Sequence, residues 1–242
     1  MNVDRIEFVY FDLDDTLLDH QRAEHRALGD VCTEYDEAFA ELTEEAVRSA
    51  YRDHNSTLWQ QYEAGEIDAN ELERRRFEQL LESLAVTGVQ PARVNEHYLN
   101  CYAEHWALTK GSRAAFRAVA ERYPVGILTN GFADTQRSKL DQFPQLRNRL
   151  DALVISAEVG TPKPHSAVFE YAAREADTEP GAILYVGNSL RSDVGGGLQA
   201  DWQVAWYGGD PSRASDEVFC FEKWDALVRR LGLGDAALEE AA

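Results

Sequence analysis

The apolar run ending at Phe11, followed at once by Asp12-Leu13-Asp14-Asp15-Thr16, restricts this chain more than any other feature. Ile6, Phe8, Val9, Tyr10 and Phe11 form a short β-prone stretch bounded by polar residues, the pattern of a buried strand. In open α/β sheets ligands bind beyond the carboxyl ends of the strands, so this strand delivers two carboxylates, at i and i+2, to such a crevice. Aspartates packed together raise the energy of their ionised forms unless a cation or a shared proton relieves them. Mg²⁺ suits the position, because it is a hard cation that prefers carboxylate and phosphate oxygens. The competing reading is a strand that simply ends in an acidic turn.

Three further elements follow in order. Tyr123-Pro-Val-Gly-Ile-Leu-Thr129-Asn130-Gly131 reads as a second strand ending in a hydroxyl and two turn formers. Gly160-Thr-Pro-Lys163-Pro164 sets a lone lysine in a proline-flanked loop before a helix. Ala182-Ile-Leu-Tyr-Val-Gly187-Asn188-Ser-Leu-Arg-Ser-Asp193 is a strand that runs into a glycine turn with polar ligands. Each is ordinary by itself; the ordered set is not.

Strands are predicted at 5–12, 125–129, 152–156, 183–186, 203–206 and 218–221, with helices between them, which implies a parallel, doubly wound sheet. Residues 19–106 interrupt this alternation with helical periodicity and charged faces. Thr43 before Glu44-Glu45, Gly65, the Asp68-x-x-Glu71 box and Pro91 punctuate that stretch into four helices. The tail 235–242 reads as a frayed end. Gly195-Gly196-Gly197 does not fit a dinucleotide fingerprint, and no G-x-S-x-G occurs.

With these four motifs in order, the chain resembles the haloacid dehalogenase superfamily, in its phosphatase branch with a helical cap inserted after the first motif. The resemblance runs from Phe8 to about Tyr207. The segment from Gly65 to Phe77 is similar to one in pyrimidine-nucleotidase-like and acylneuraminate-phosphatase-like members. The implied fold is an α/β, doubly wound, Rossmann-like core of residues 1–18 and 107–242 carrying a helical-bundle cap of residues 19–106. The implied reaction is hydrolysis of a small-molecule phosphomonoester through an aspartyl-phosphate. Asp12 is then the nucleophile, and Asp14 protonates the leaving oxygen and later activates water. The Thr129 hydroxyl and the Asn130 N–H hold phosphoryl oxygens, and Lys163 offsets the negative charge that develops. Mg²⁺ is expected against Asp12, the Asp14 carbonyl, Asn188 and Asp193. Asp15 and Thr16 are expected to shape the loop. Trp59, Tyr62, Arg76 and Phe77 are candidates for gripping the leaving group, against the alternative of helix packing.

One departure stands out. The family usually carries Asp directly after the glycine, where this chain has Asn188, so a neutral amide replaces a charge at the expected metal site. Two other readings therefore stay open. A dehalogenase of the same superfamily works without Mg²⁺ and lacks the second aspartate; Asn188 leans its way and Asp14 argues against it. A catalytically silent binding protein would be expected to lose Asp12 or Lys163, and both are present.

Charge narrows the partners. With 43 acidic against 24 basic residues the formal net charge is −19. Such a surface repels nucleic-acid phosphates and anionic membranes, so neither is an expected partner. Lys110, Lys139, Lys163 and Lys223 are the whole lysine complement. A dispersed acidic surface with scarce lysine resembles proteins of salt-in halophilic archaea. No apolar run is long enough for a bilayer, and no basic-then-apolar leader opens the chain, so a cytoplasmic monomer or homodimer is expected. Cys32, Cys101 and Cys220 make no CxxC or zinc spacing.

Overall fold

A computed structural model describes residues 1–234 and divides the chain into two compact units. One comprises Met1–Asp19 and the chain from Leu108 onward; the other is His20–Ala107.

In the first unit, the described residues form one sheet of six strands: β1 (Phe8–Phe11), β2 (Val125–Thr129), β3 (Ala152–Ile155), β4 (Ile183–Gly187), β5 (Gln203–Tyr207) and β6 (Phe219–Phe221). Their order is β3-β2-β1-β4-β5-β6, and every neighbouring pair is parallel. All six strands read from the sequence are therefore present. Side chains alternate between two apolar layers, as a strand period of two requires. Val9, Phe11, Ile127, Leu184 and Val186 pack with Phe116, Leu140, Trp224 and Leu227 on one face. Phe8, Tyr10, Leu128, Ile183 and Tyr185 pack with Val168, Phe169 and Trp202 on the other. Because β1 is flanked by β2 on one side and β4 on the other, the strand order reverses there, and the carboxyl ends of these three strands open onto a crevice.

One boundary differs from the sequence reading. Val3–Arg5 is a 3₁₀ turn in which the Asn2 side chain accepts the Asp4 N–H, so β1 starts at Phe8 rather than at residue 5. Beyond β4 a wide turn begins at Leu190, the Val194 N–H reaching back five residues to the Ser189 carbonyl at 3.0 Å, and the helix expected ahead of the fifth strand follows at Gly196–Gln199. This wide turn, of a kind often found at functional sites, carries Asp193 inside it.

The chain leaves and re-enters this unit side by side. Leu18 pairs antiparallel with Leu108, the Thr109 N–H donates to the Leu17 carbonyl at 2.9 Å, and the Ser112 hydroxyl donates to the same carbonyl at 3.0 Å. An insertion between residues 19 and 107 thus leaves the sheet uninterrupted.

The second unit holds α1 (His20–Glu34), a single-turn α2 (Asp36–Phe39), α3 (Glu44–Glu63), α4 (Ala69–Ser83) and α5 (Pro91–Glu104). The four long helices are those read from the sequence. Thr43 caps α3 by accepting the Ala46 N–H. That helix ends in a Schellman arrangement: Gly65, at φ +72°, donates to Tyr62 at 3.0 Å and Glu66 donates to Gln61 at 2.9 Å. Asp68 caps α4 through the Glu71 N–H at 2.8 Å, but the Glu71 side chain pairs with Arg75, so the expected box is made on one side only. Val47, Tyr51, Phe77, Leu80, Val94 and Tyr98 fill the core of the unit.

Continuing along the first unit, the helices are α6 (Ser112–Ala120), α7 (Ala133–Gln142), the single-turn α8 (Pro144–Arg147) and α9 (Ser156–Val159), α10 (Ser166–Glu175), the single-turn α11 (Gly196–Gln199) and α12 (Trp224–Arg230). Among the described residues no helix is long and apolar enough to cross a membrane.

Candidate active site

Asp12 leaves β1 directly into the crevice, its N–H donating to the Val186 carbonyl of β4 at 2.8 Å. Lys163 meets it there. The Lys163 ammonium is 2% exposed and uses its three donors on Asp12 Oδ1 at 2.8 Å, Asp193 Oδ1 at 2.8 Å and the Tyr185 hydroxyl at 2.7 Å. The Tyr185 hydroxyl in turn donates a hydrogen bond to the Leu128 carbonyl at 2.7 Å. Asp193 is fully buried, and its second oxygen accepts the Ser189 N–H at 2.9 Å. Gly187 makes this packing possible, because a Cβ there would lie 2.5 Å from Asp193 Oδ2.

The electrostatics follow from burial. Desolvation pushes the Asp12 carboxyl up to about 7; Lys163 pulls against that shift, while Asp193 and Asp14 add to it. Burial would lower Lys163, but the charges of Asp12 and Asp193 more than offset it, and the lysine lies above its ordinary range. Burial, then Asp193 and Asp12, hold the Tyr185 phenol well above its usual range, so it stays a neutral donor. Asp12, Asp193 and Lys163 together carry one uncompensated negative charge.

The Asp14 carboxylate points elsewhere. It accepts from Lys139 Nζ at 2.7 and 2.8 Å and from Gln136 Nε2 at 3.0 Å, both side chains coming from α7. Gln136 also donates to the Thr129 hydroxyl at 2.8 Å and to the Asn130 carbonyl at 3.2 Å. Gly131, at φ +151°, permits this approach, since a Cβ would sit 2.8 Å from the Gln136 side chain. The Asn130 side chain ties the second motif to the third: its Oδ1 accepts the Lys163 N–H at 2.9 Å and its Nδ2 donates to the Lys163 carbonyl at 3.0 Å. Asp15 adopts φ +54°, a left-handed conformation that Asp tolerates, and the Leu18 N–H closes the loop on Leu13 at 2.8 Å.

A divalent cation fits this donor set. Burial chiefly raises Asp12, with the charges of Asp193 and Asp14 adding to it, and a bound cation would oppose both by favouring the ionised carboxylate. Asn188, half-buried beyond β4, has its Oδ1 3.3 Å from the Thr16 hydroxyl of the first motif. Among the described residues no three His, Cys, Asp or Glu side chains cluster as a metal cage.

Asp12, Lys163 and Asp193 thus come together, Thr129 and Asn130 line the adjoining strand end, and Asp14 sits on its own pair of donors. Tyr185, Gln136 and Lys139 had not been singled out in the sequence. A tyrosine inside an otherwise aliphatic buried strand was a signal, because a buried phenol needs a partner. So was Lys139, one of only four lysines in the chain. In the helical unit, Phe77 is fully buried against Tyr51 and Tyr98, so packing accounts for it. Arg76 is also buried, with its guanidinium over the Tyr98 ring and its Nε donating to Asn95. Trp59 and Tyr62 meet edge-on with ring centroids 5.6 Å apart.

Residues 6–201 match the model of the haloacid dehalogenase-like hydrolases. The pyrimidine 5'-nucleotidase YjjG of Escherichia coli is 31% identical over 204 residues, spanning 83% of this chain and 85% of the relative. The human N-acylneuraminate-9-phosphatase is 24% identical over 213 residues, 83% of this chain and 81% of that protein. The crystal structure of the HAD-hydrolase YfnB from Bacillus subtilis, bound to magnesium, superposes with a TM-score of 0.83 at 26% identity, covering 94% of this chain and 99% of that one.

Proposed function

The chain belongs to the haloacid dehalogenase-like hydrolase family, and on that premise we propose that it is a Mg²⁺-dependent phosphomonoesterase working through an aspartyl-phosphate on Asp12. The observation that carries the proposal is the Lys163 ammonium held 2.8 Å from both Asp12 and Asp193 at the carboxyl ends of β1 and β4. A buried cation there supports attack by an anionic nucleophile on an anionic substrate, because preorganised charge in a water-poor site costs no reorganisation during the reaction.

Asp12 supplies the attacking oxygen; the bond from phosphorus to the leaving oxygen breaks, and Asp14 gives that oxygen a proton. Asp14, now a carboxylate, takes a proton from the water that attacks the phosphoryl group, which frees Asp12 and releases phosphate. The Thr129 hydroxyl and the Asn130 N–H orient phosphoryl oxygens. Asp12, the Asp14 carbonyl, Asn188 and Asp193 would hold Mg²⁺, whose chemistry is to neutralise and orient the phosphate. Asp193 retains acceptor capacity for this, since each carboxylate oxygen has two lone pairs. The dehalogenase reading loses ground because the structure spends two buried donors, Gln136 and Lys139, on an aspartate that such chemistry does not need.

The substrate class follows the relatives: a small phosphorylated metabolite such as a nucleotide or sugar phosphate. The test is a panel of nucleotides, sugar phosphates and phosphoglycolate assayed with Mg²⁺ and with EDTA. Release of phosphate only with the metal is the expected result. Hydrolysis unaffected by EDTA would remove the metal from the scheme, and hydrolysis of none would remove the function.

The acidic composition supports a high-salt habitat. Self-repulsion at a net charge of −19 is screened over about 10 Å at ~0.1 M salt and about 3 Å at ~1 M. The melting temperature is expected to rise markedly between 0.1 and 2 M KCl, as scanning calorimetry would read; a flat profile would refute the halophilic assignment and leave the phosphatase untouched.

A further inference from the structure

We propose that Lys139 and Gln136 are positioning residues for proton transfer, acting through Asp14. The inference rests on the reading of Asp14 as general acid and base, and it assigns a reason to two buried polar side chains that the scheme above does not use.

Both come from one face of α7, three residues apart, and both are nearly inaccessible: Gln136 is 1% exposed and Lys139 is 3% exposed. Burying a lysine is costly without a partner, and this one is gripped on both oxygens of Asp14, at 2.7 and 2.8 Å. Gln136 adds a third donor at 3.0 Å and, with its amide also on the Thr129 hydroxyl at 2.8 Å, links the acid to the strand end that faces phosphate. A carboxylate on the loop after β1, with Asp15 beside it in a left-handed conformation, is thereby fixed in both position and rotation. Proton transfer requires the donor within hydrogen-bond reach of the leaving oxygen, and a displacement of about 1 Å costs about 100-fold. The chain is otherwise sparing with lysine, having four in 242 residues, yet two of them are buried on the first-motif aspartates. An ammonium suits such a spot, being a compact point charge whose donors rotate to their acceptors.

The test separates positioning from simple structural support through the leaving group. An alkyl phosphate needs its departing oxygen protonated, whereas p-nitrophenolate departs without help. kcat/KM reports the steps up to that departure. For Lys139→Met, kcat/KM on an alkyl phosphate should fall about 100-fold and on p-nitrophenyl phosphate less than about 5-fold. Gln136→Leu should show the same selectivity with a smaller loss, and it keeps the test decisive if the lysine variant does not fold. In an Asp14→Asn background the Lys139→Met loss on the alkyl ester should vanish, since the two act as one unit. Equal losses on the two esters in a folded, active enzyme would overturn the positioning role alone. Absence of hydrolysis by the wild-type protein would overturn the phosphatase reading, and this inference with it.

Discussion

Asp12→Asn is expected to lower phosphomonoester turnover by about 10⁴- to 10⁶-fold, the range in which loss of a covalent nucleophile falls. The same substitution should make the metal-free protein more stable. Asp12 is buried, and desolvation lifts its carboxyl up to about 7 from an ordinary 3.8 despite the counteracting charge of Lys163. Between those values the folded protein binds a proton that the unfolded chain has released, so stability falls as pH rises through the window and the full cost is present above 7. Asparagine carries no such charge, still accepts from Lys163, and leaves the Asp193–Lys163 pair neutral. In EDTA the variant and wild type should melt alike near pH 4, with a gap that opens in favour of the variant up to pH 8. Mg²⁺ should then raise the wild-type melting temperature and leave the variant nearly unmoved. Calorimetry at pH 4, 6 and 8, with and without the metal, reads every one of these. Near-normal turnover in the variant would exclude the aspartyl-phosphate, whereas a wild type as stable as the variant at pH 8 would exclude only the buried-charge argument.

The sheet was legible in the sequence because each strand is a short apolar run closed by turn residues, and all six runs are paired in the structure. The helical unit was legible for a different reason: Thr43, Gly65, Asp68 and Pro91 punctuate it, and each stands at a helix end. Of the candidate site, the residues that motifs mark by position are legible in the sequence, and the residues that hold them are not. Asp12, Asp14 and Lys163 are conspicuous as charges next to strands or turns. Tyr185 is hidden inside a strand, and Gln136 and Lys139 lie in a helix whose polar residues read as a solvated face. Their meaning is tertiary, set by which strand end α7 packs beside, and helical periodicity cannot report that. The wide turn around Asp193 is hidden from the sequence for a related reason. Burial of that carboxylate against Gly187 and Lys163 favours a wide i→i+5 turn over the ordinary helical start that local propensity suggests.

Lys163→Met should be the single change most damaging to stability, because it strips two buried carboxylates of their shared counter-ion at nearly constant volume. Lys163 is 2% exposed and bonded to Asp12, Asp193 and Tyr185, so its loss leaves all three without that donor inside the protein. Removing one side of such a buried pair costs about 3–5 kcal/mol, and removing an electrostatic donor from a reaction of this kind lowers turnover by about 10²- to 10³-fold or more. The cost must depend on pH. Asp12 already resists ionisation, and without the lysine it resists further, so the folded variant takes up a proton and is rescued by acid: its stability should climb as pH falls from 8 to 5. Charge alone then sets an order among four proteins at pH 8 in EDTA. With every carboxylate ionised, the Asp12, Asp193 and Lys163 set carries no net charge in Asp12→Asn, one negative charge in the wild type and in the double variant, and two in Lys163→Met, which that variant relieves only by the cost of taking up a proton. Stability measured by urea unfolding should therefore run from Asp12→Asn, through the wild type and the double variant, down to Lys163→Met. The double variant ranks below the wild type because Asp193 has lost its donor. The decisive quantity is the coupling between the two sites. If Lys163→Met costs as much in the Asp12→Asn background as in the wild type, the lysine is there for packing and its role as the counter-ion of the nucleophile is wrong.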